Sequence, residues 1–485
     1  MKKSIYYMML VLVFTSCSDF LEIKPREDVS IQQQFSTQEG VLQALNGAYV
    51  KTEDLMSSNA FIYADLQGGN LSFIPIQSGT SLNAIIVPSS LLNVYNFNDN
   101  ATESTYSAFY QDAYKTLANI NNVIAFTPNI GAMSTEKKSQ ILAEALALRA
   151  FIHYNLLQFY AQTYSFSNDA SHSGIVYADR ILQGGVDFES RKSVAVTYKL
   201  IKDDLDKALS LFTTSQAMSG PGYSYFNTTT TTALYARIAL QSNDYDKASL
   251  FAKEAIKLSG LVLTPNANYI QEWEKPNLPI SEVILEFTAP KDNSGQLVSS
   301  TVAGYYNSFG NTSSLFRLSA SLDLIELYSP QDIRRNNFIE KNYTVNTVNG
   351  LQNRTFYNTK KFQDNAGTLS IRLSEMYLII AEAKARLDQF EEAKSNLNMI
   401  RNRANLSNIT SNDSLLEKIF LERRRELCFE GFLLFDVARF KKNTIKILDC
   451  YAFTCILNYP NPKFVLPIPQ ETISVNQNIK QNEGY

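Results

Sequence analysis

The chain has 485 residues, of which 45% are hydrophobic and 19% are charged, so it can bury a large core and does not have the composition of a disordered protein. Its formal net charge of −3, two histidines and four cysteines argue against a nucleic-acid-binding protein, a zinc protein and a disulfide-stabilised scaffold. The 27 tyrosines and 29 phenylalanines contrast with a single tryptophan, Trp273, and a tyrosine-rich, weakly acidic surface suits neutral polar ligands.

The first 16 residues have the layout of an export signal. Two lysines precede an apolar run from Ile5 to Phe14, and two small residues follow it. The run has about half of the roughly 20 residues that span a bilayer, so we predict a signal peptide at 1–16 that is cleaved. Cys17 comes next, as in a bacterial lipobox, and we predict that acyl chains on its thiol anchor the mature chain, with a net charge of −5, to a membrane. The alternative is an ordinary secreted protein in which this cysteine occurs by chance.

Helical periodicity dominates the rest of the chain. Apolar residues recur at steps of three and four residues in five segments: 104–126, 137–160, 198–212, 232–241 and 245–258. Only three residues, 242–244, join the last two segments, so we expect those two helices to pack as an antiparallel hairpin.

The pattern of this hairpin occurs twice, 145 residues apart. Each occurrence has an alanine, an aromatic residue nine positions later and a second alanine twelve positions later: Ala236, Tyr245 and Ala248, then Ala381, Phe390 and Ala393. Small residues let two helices approach closely while the aromatic ring fills the space between them, as in tetratricopeptide-like repeats. The alternative is a pair of coincidental alanine-rich hairpins in an ordinary helical domain.

Three long insertions have a different composition. The segments at about 60–100, 213–231 and 259–370 are rich in glycine, serine, asparagine, threonine or proline, which is typical of loops and short strands. Binding groups often lie on loops that a rigid scaffold positions, so we expect these insertions to face a ligand. The predicted fold class is therefore mainly α, with tetratricopeptide-like helical hairpins, long loop-rich insertions and few short strands.

A charged run at 421–431 is predicted to be a helix with a structural role. Three consecutive arginines lie between Glu422 and Glu426, and opposite charges three or four residues apart can pair on one helix. Arginine side chains can also tie such a helix to its neighbours through paired hydrogen bonds to carboxylates.

Three cysteines remain after the N-terminal one. Cys450 and Cys455 are close enough in sequence to close a small loop by a disulfide in an oxidising compartment, or they can stay reduced, and the sequence leaves both states open. Cys428 lies in an apolar run and is expected to be buried.

The chain shows no catalytic motif. It has no GxSxG nucleophile elbow, no phosphate-binding loop and no dinucleotide-binding glycine fingerprint. Asp203 and Asp204 are adjacent, whereas a glycoside hydrolase needs two carboxylates that face each other across the sugar bond. His153 is interpreted as a hydrogen-bonded helix residue. We therefore predict a protein that is not an enzyme and has no metal site and no cofactor.

Several sequence blocks along the chain carry a family resemblance. They are the runs at 19–22, 44–49, 147–150, 372–383, 393–403, 421–431 and 464–469. Together they cover both ends and most of the predicted helices, and they resemble the SusD/RagB family. Members of this family are surface lipoproteins of Bacteroidetes that pair with a TonB-dependent outer-membrane barrel, the SusC-like transporter, and capture nutrients, most often glycans.

The resemblance implies a single SusD-like domain at 17–485, built as an α–α superhelix. It implies an outer-membrane lipoprotein, anchored through Cys17 and facing the cell exterior, with a SusC-like transporter and a glycan as partners and no nucleic acid. The acidic run after Cys17 resembles the export signal of surface lipoproteins. Two alternatives keep the same architecture: peptide or glycoprotein cargo, or a protein-only adaptor of the transporter.

A sugar site needs flat aromatic faces, with amides, carboxylates or guanidinium groups at the rim for the hydroxyls. Two clusters in the insertions contain such residues: Tyr63, Asp65, Gln67, Asn70 and Phe73 in the first, and Trp273, Tyr305, Tyr306 and Asn307 in the second. The resemblance places the first cluster where many relatives contact ligand. For every aromatic residue the competing interpretation is packing in the core, and a single tryptophan is unlike glycan-binding relatives that use several.

Overall fold

The computed structural model describes residues 30–78, 81–274, 280–288, 301–306, 317–362 and 367–485. Cys17, the signal peptide predicted at 1–16, and Asn307 lie outside the described residues. The α-helices in this part of the chain are α1 Ile31–Gln34, α2 Gln38–Ser57, α3 Tyr63–Gly68, α4 Ser89–Tyr95, α5 Ser107–Phe126, α6 Thr135–Tyr160, α7 Val194–Leu211, α8 Thr228–Gln241, α9 Tyr245–Ser259, α10 Tyr269–Trp273, α11 Val302–Tyr306, α12 Leu322–Ile325, α13 Leu373–Arg386, α14 Phe390–Arg403, α15 Leu415–Leu427, α16 Leu433–Arg439 and α17 Gln470–Val475. The strands are β1 Leu71–Phe73, β2 Ile76–Ser78, β3 Ser81–Ala84, β4 Val283–Phe287, β5 Leu318–Ala320, β6 Phe338–Thr347, β7 Gly350–Thr359, β8 Thr368–Arg372, β9 Thr444–Ile445 and β10 Ile456–Leu457.

All five predicted long helices are present, and their ends differ from the predictions by a few residues. The largest differences, four residues each, are at the starts of α7 and α8. Helix α8 begins at Thr228, whereas the threonines before position 232 were expected to lie in loops or short strands. Asn227 accounts for the earlier start, because its side-chain oxygen accepts a hydrogen bond from the Thr230 backbone N–H while the Thr230 hydroxyl accepts one from the Asn227 N–H. This reciprocal cap offsets the low helix propensity of β-branched residues.

The repeated pattern forms two stacked helical hairpins, α8–α9 and α13–α14. The four alanines of the pattern, at 236, 248, 381 and 393, are fully buried where helices cross. The two connecting turns have the same geometry, since Asn243 and Asp388 each adopt a left-handed backbone with φ of 57°. Helix α9 also packs against α13, so one hairpin stacks on the next. The prediction of a mainly α fold with tetratricopeptide-like hairpins is confirmed.

The insertion at 259–370 contains more regular structure than the predicted loops and short strands. Strands β6 and β7 pair over ten residues each, from Phe338 opposite Thr359 to Thr347 opposite Gly350. They lie inside a six-stranded sheet with the order β1-β5-β7-β6-β3-β2, in which only β3 and β6 are parallel. Separately, β4 pairs with β8 and β9 pairs with β10. The sheet therefore joins the first and third insertions.

Charged residues of α15 form a buried ionic network. This helix ends at Leu427, not at Gly431 as predicted, and its charges face neighbouring elements more than solvent. The Glu426 carboxylate pairs with three guanidinium groups, at 2.9 Å from Arg334, 2.7 Å from Arg372 and 2.5 Å from Arg403. Burial alone would raise the pKa of Glu426, but these three cations hold it well below its usual range. Arg423 of α15 also pairs with Asp436 of α16 at 3.0 Å, so the prediction that arginines tie this helix to its neighbours is confirmed.

Other predictions about single residues also agree with the structure. Cys428 is buried directly after α15. His153 is buried in α6, with Nδ1 3.0 Å from the Arg149 carbonyl oxygen and Nε2 accepting a hydrogen bond from the Ala178 N–H. Across the described ranges, every helix is too short or too polar to cross a membrane.

Candidate ligand-binding surface

The first predicted cluster lies in the interior. Its members are at most 2% exposed: Tyr63, Asp65, Gln67, Asn70 and Phe73. The Asp65 carboxylate accepts hydrogen bonds from the backbone N–H groups of Phe429 and Gly431, and from the Asn70 side chain. Burial raises the pKa of Asp65 to about 6. These contacts join α3 to the segment after α15, so the structure gives the cluster a packing role.

The described members of the second cluster are buried as well. Trp273 is 5% exposed, and its ring lies beneath the Lys361 ammonium, at 4.8 Å, and the Arg372 guanidinium, at 5.7 Å. Tyr305 and Tyr306 are also buried, and the Tyr306 ring stacks on Phe362. A stacking surface for a sugar must present its ring to solvent, and the described rings of both clusters do not. The competing interpretation, packing in the core, fits them, and a ligand role for them stays a prediction.

The most exposed large aromatic ring in the described residues belongs to Phe453. Its side chain is 95% exposed, whereas every tyrosine in the same part of the chain is buried or half-buried. Phe453 lies between Cys450 and Cys455, which form a disulfide. We name residues 450–455 the disulfide loop. Since the chain's single tryptophan is buried, the described surface offers phenylalanine and tyrosine rings for stacking.

Hydrogen bonds hold the disulfide loop against the end of α4. The Phe453 N–H donates to the Asn96 side-chain oxygen at 2.7 Å, and the Tyr451 N–H donates to the Tyr95 hydroxyl at 3.4 Å. The two-residue strands β9 and β10 flank the loop in the sequence and pair with each other, and the Lys446 N–H donates to the Cys455 carbonyl at 2.9 Å. The loop therefore presents the Phe453 ring on a backbone that is tied at several points.

A buried lysine forms the floor of this surface. The Lys446 ammonium donates to the Tyr95 carbonyl at 2.7 Å and lies over the rings of Tyr95 and Phe97, at 4.0 Å and 4.4 Å. Burial lowers the pKa of Lys446 to about 7. Phe73, from the first predicted cluster, packs edge-on against Tyr95. Phe73 thus contacts the tyrosine to which the disulfide loop is hydrogen-bonded.

Polar groups lie on and against the disulfide loop. The half-buried Tyr451 accepts a hydrogen bond of 3.4 Å from Arg354 of β7, and Arg354 also donates to the Gln352 side chain at 3.1 Å. Together with Asn96, which accepts the Phe453 N–H, these groups offer hydrogen bonds to a polar ligand at the disulfide loop. A ring and donors in this arrangement fit a ligand with one apolar face and a polar edge. In the described residues no group of three or more histidine, cysteine, aspartate or glutamate side chains could hold a metal ion.

Two family models match most of this chain. Residues 286–485 match the model described as the SusD family, and residues 19–240 match a model described as starch-binding associating with outer membrane. The chain belongs to the SusD family. The sequence blocks at 372–383 and 393–403 lie on α13 and α14, so the family resemblance falls on the stacked helical hairpins.

Curated and solved relatives of this SusD-family chain span nearly its whole length. A SusD-like protein of Formosa agariphila is 22% identical, over 99% of each chain. The crystal structure of a SusD superfamily protein from Bacteroides thetaiotaomicron has a TM-score of 0.78 at 24% identity, covering 92% of this chain and 99% of that one. The crystal structure of a SusD-like carbohydrate binding protein from Bacteroides vulgatus has a TM-score of 0.72 at 18% identity, covering 92% and 97%. These likenesses show the fold.

The disulfide loop is not among the sites predicted from the sequence. Its signal is present in the chain as two cysteines five residues apart that enclose Tyr451 and Phe453. A disulfide between neighbouring cysteines forces the residues between them into a short loop at the surface, where an aromatic side chain has few partners. The cysteine spacing was recognised as a possible bridge, but its aromatic content was not.

Proposed function

We propose that this protein is a cell-surface lipoprotein that captures a glycan and delivers it to a SusC-like TonB-dependent transporter in the outer membrane. In this proposal residues 1–16 are removed on export, Cys17 carries the lipid, and residues 17–485 form a single SusD-like domain. The family assignment supports the proposal, as one matching model is described as starch-binding associating with outer membrane and a relative of the same fold is described as carbohydrate binding.

The observation that carries the proposal is the exposed Phe453 ring on the tethered disulfide loop. A pyranose ring has an apolar face of C–H groups that stacks on a phenyl ring, and its hydroxyls at the edge need hydrogen-bond partners. Asn96 accepts a hydrogen bond from the Phe453 backbone N–H, and Tyr451, two residues away on the loop, accepts one from Arg354. The loop and its neighbours therefore offer both donors and acceptors. Because the loop is already held in place, binding orders few additional groups.

The proposed role is binding without catalysis. Hydrolysis of a glycosidic bond requires two carboxylates on opposite sides of the bond. The polar groups that we place around Phe453 are an amide, a guanidinium and a phenol. Capture and transfer to the transporter need only reversible binding, for which these groups are sufficient.

A binding screen with two variants tests the glycan site. The mature protein without lipid is titrated with neutral polysaccharides and oligosaccharides, and Phe453→Ala is compared with Phe188→Ala, a phenylalanine that is 42% exposed elsewhere. Loss of one stacking contact should weaken glycan binding about three- to tenfold in Phe453→Ala and leave Phe188→Ala unchanged. Equal glycan affinity in the two variants would remove Phe453 from the site, and no glycan binding by the unaltered protein would refute glycan capture.

The lipid anchor and the transporter are tested in cells. Replacing Cys17 by alanine should release the protein from the membrane fraction, because the acyl chains can no longer be attached. The unaltered protein should copurify with a TonB-dependent barrel. Full membrane retention of the Cys17→Ala protein would contradict the lipoprotein assignment.

A second candidate cargo is a peptide, and one observation favours it. Four aliphatic side chains on and beside the β9–β10 hairpin are between 41% and 56% exposed: Ile445, Ile447, Leu448 and Ile456. Sugars have few apolar groups that can pack against aliphatic side chains, whereas the apolar side chains of a peptide pack well against them. In the same screen, binding of peptides that is lost in Ile447→Ser but kept in Phe188→Ser would support peptide cargo over glycan.

A further inference from the structure

A second concave surface lies at the insertion 213–231. It is a groove with a volume of about 400 Å³, between the loop at 213–216 and the first turn of α8 on one side and residues 258–261 on the other. Buried residues of β4, Val283 and Ile284, form part of its floor. The groove shares no residue with the surface around Phe453. We name it the threonine groove.

The lining of the threonine groove carries no charged side chain. Apart from one glycine and a few apolar residues at its floor and edge, it is lined by hydroxyl and amide side chains: Gln140, Thr213, Thr214, Ser215, Gln216, Tyr223, Asn227, Thr228, Thr229, Thr230 and Ser259. Hydroxyls and amides both donate and accept hydrogen bonds. The charged group bonded to this lining is the Glu136 carboxylate, which accepts a hydrogen bond from the Ser215 hydroxyl at 3.2 Å. The lining therefore offers no cation to an anionic ligand and many hydrogen-bond partners to a neutral polyhydroxyl one.

Some of these polar residues hold the groove in shape. The Gln140 side-chain oxygen accepts hydrogen bonds from the N–H and the hydroxyl of Thr213, both at 3.1 Å. Asn227 caps α8 through its oxygen and donates from its amide nitrogen to the Gly222 carbonyl at 2.8 Å. The two walls are therefore fixed by side chains whose hydrogen-bonding groups are already in use.

Other polar side chains in the lining have no hydrogen-bond partner among the described residues. These are Thr214, Gln216, Tyr223, Thr228 and Thr229. The half-buried Tyr223 ring adds an apolar face beside these free hydroxyl and amide groups. The groove thus combines a fixed frame, an aromatic face and several unused donors and acceptors, and its volume lies within the range of small-molecule sites, about 300–1,000 Å³.

We propose that the threonine groove is a second binding site that takes a neutral oligosaccharide. The inference rests on the proposed function for its ligand class, since glycan capture brings such chains to the protein surface. Two sites on one protein would let a long glycan bind at both, so that release from one site leaves it held at the other. The uncharged lining predicts that sugars with carboxylate or sulfate groups bind there less well than neutral ones of the same length.

The test separates the two sites by variants. Maltohexaose, cellohexaose, mannohexaose and, as a charged probe of the same length, hexagalacturonate are titrated by calorimetry into the Phe453→Ala protein, which keeps the groove intact. A neutral hexasaccharide should bind, and the double variant Gln216→Ala/Tyr223→Ala should bind it about tenfold more weakly. Gln183→Ala, an exposed glutamine in another loop, is the matched control and should leave the affinity unchanged.

Hydrogen exchange gives a second readout that is local to the groove. Saturating oligosaccharide should protect the backbone amides of 213–230 in the Phe453→Ala protein and not in the double variant. Thr228→Lys, at an exposed first position of α8, should abolish binding by placing a long charged chain in the groove while thermal unfolding stays unchanged. Unchanged affinity in the double variant and in Thr228→Lys would overturn the groove, as would absence of binding by every neutral hexasaccharide. Failure at the Phe453 site shows differently, because Phe453→Ala would then bind glycan as tightly as the unaltered protein. Failure of delivery to the transporter would show as a barrel that does not copurify.

Discussion

Replacing Glu426 by glutamine tests whether the buried ionic network holds the scaffold beneath the ligand-binding surface. The substitution keeps the size of the side chain and removes one negative charge from the centre of three guanidinium groups. Each arginine retains another carboxylate: Arg334 pairs with Asp332 at 2.7 Å, Arg372 with Glu430 at 2.8 Å and Arg403 with Glu282 at 2.7 Å. The substitution therefore removes one carboxylate from the network and leaves each arginine with another.

We expect Glu426→Gln to lower the free energy of unfolding by about 3 kcal/mol, the lower end of the range for breaking a buried ion pair. Urea unfolding followed by circular dichroism measures this change. The control is Glu391→Gln, the same substitution at a side chain that is 89% exposed and paired with Lys394 at 2.7 Å. It should cost less than about 0.5 kcal/mol, because solvent already weakens that pair.

The segment that follows Glu426 contacts residues near the ligand-binding surface, so the effect of the substitution should extend to them. The N–H groups of Phe429 and Gly431 hold the Asp65 carboxylate, and α3 leads into β1 under the disulfide loop. Hydrogen exchange of residues 63–73 should therefore accelerate in Glu426→Gln and not in Glu391→Gln. A cost below about 1 kcal/mol would refute the reasoning that three guanidinium groups depend on this carboxylate.

Three further predictions concern pH and the disulfide loop. Burial alone would raise the pKa of Glu422, but Arg334 and Arg425 hold it at about 2 in the folded protein. The stability that this ion pairing contributes is therefore present above about pH 4.5 and is lost as pH falls toward 2. A urea midpoint that does not fall between pH 5 and 2 would contradict this. Burial lowers the pKa of Lys446 to about 7, whereas a lysine in the unfolded chain stays protonated to about pH 10.4. The free energy of unfolding should therefore rise from pH 7 to 10, and Lys446→Met should remove the contribution of this lysine to that rise. The double variant Cys450→Ser/Cys455→Ser should lose about 2 kcal/mol of stability, measured by urea unfolding, and should bind the Phe453-dependent ligand more weakly, measured by calorimetry. Unchanged affinity would show that the hydrogen bonds of the loop hold it without the disulfide.

The sequence by itself determined the helical scaffold and the family of this protein. Periodic apolar residues and small residues at helix crossings are local patterns, so the α8–α9 and α13–α14 hairpins could be predicted and paired from their spacing alone. The blocks at 372–383 and 421–431 identified the family before any contact was known. Residue preferences predict loops or short strands for the threonine run before position 232, and the Asn227 cap makes these residues the first turn of α8.

Only the tertiary structure decided which aromatic residues face solvent. Trp273 and Tyr63 have the composition of a sugar site, but Trp273 is covered by Lys361 and Arg372, and Tyr63 packs against Phe159. These partners lie far away in the sequence, and the exposure of a ring depends on them and not on its neighbours in the chain. For the same reason the sequence predicted only loops and short strands where β6 and β7 pair over ten residues, since cross-strand contacts stabilise a strand more than its own residue preferences do. Phe453 remains exposed because the disulfide and the bond to Asn96 hold its backbone where none of the described elements covers the ring.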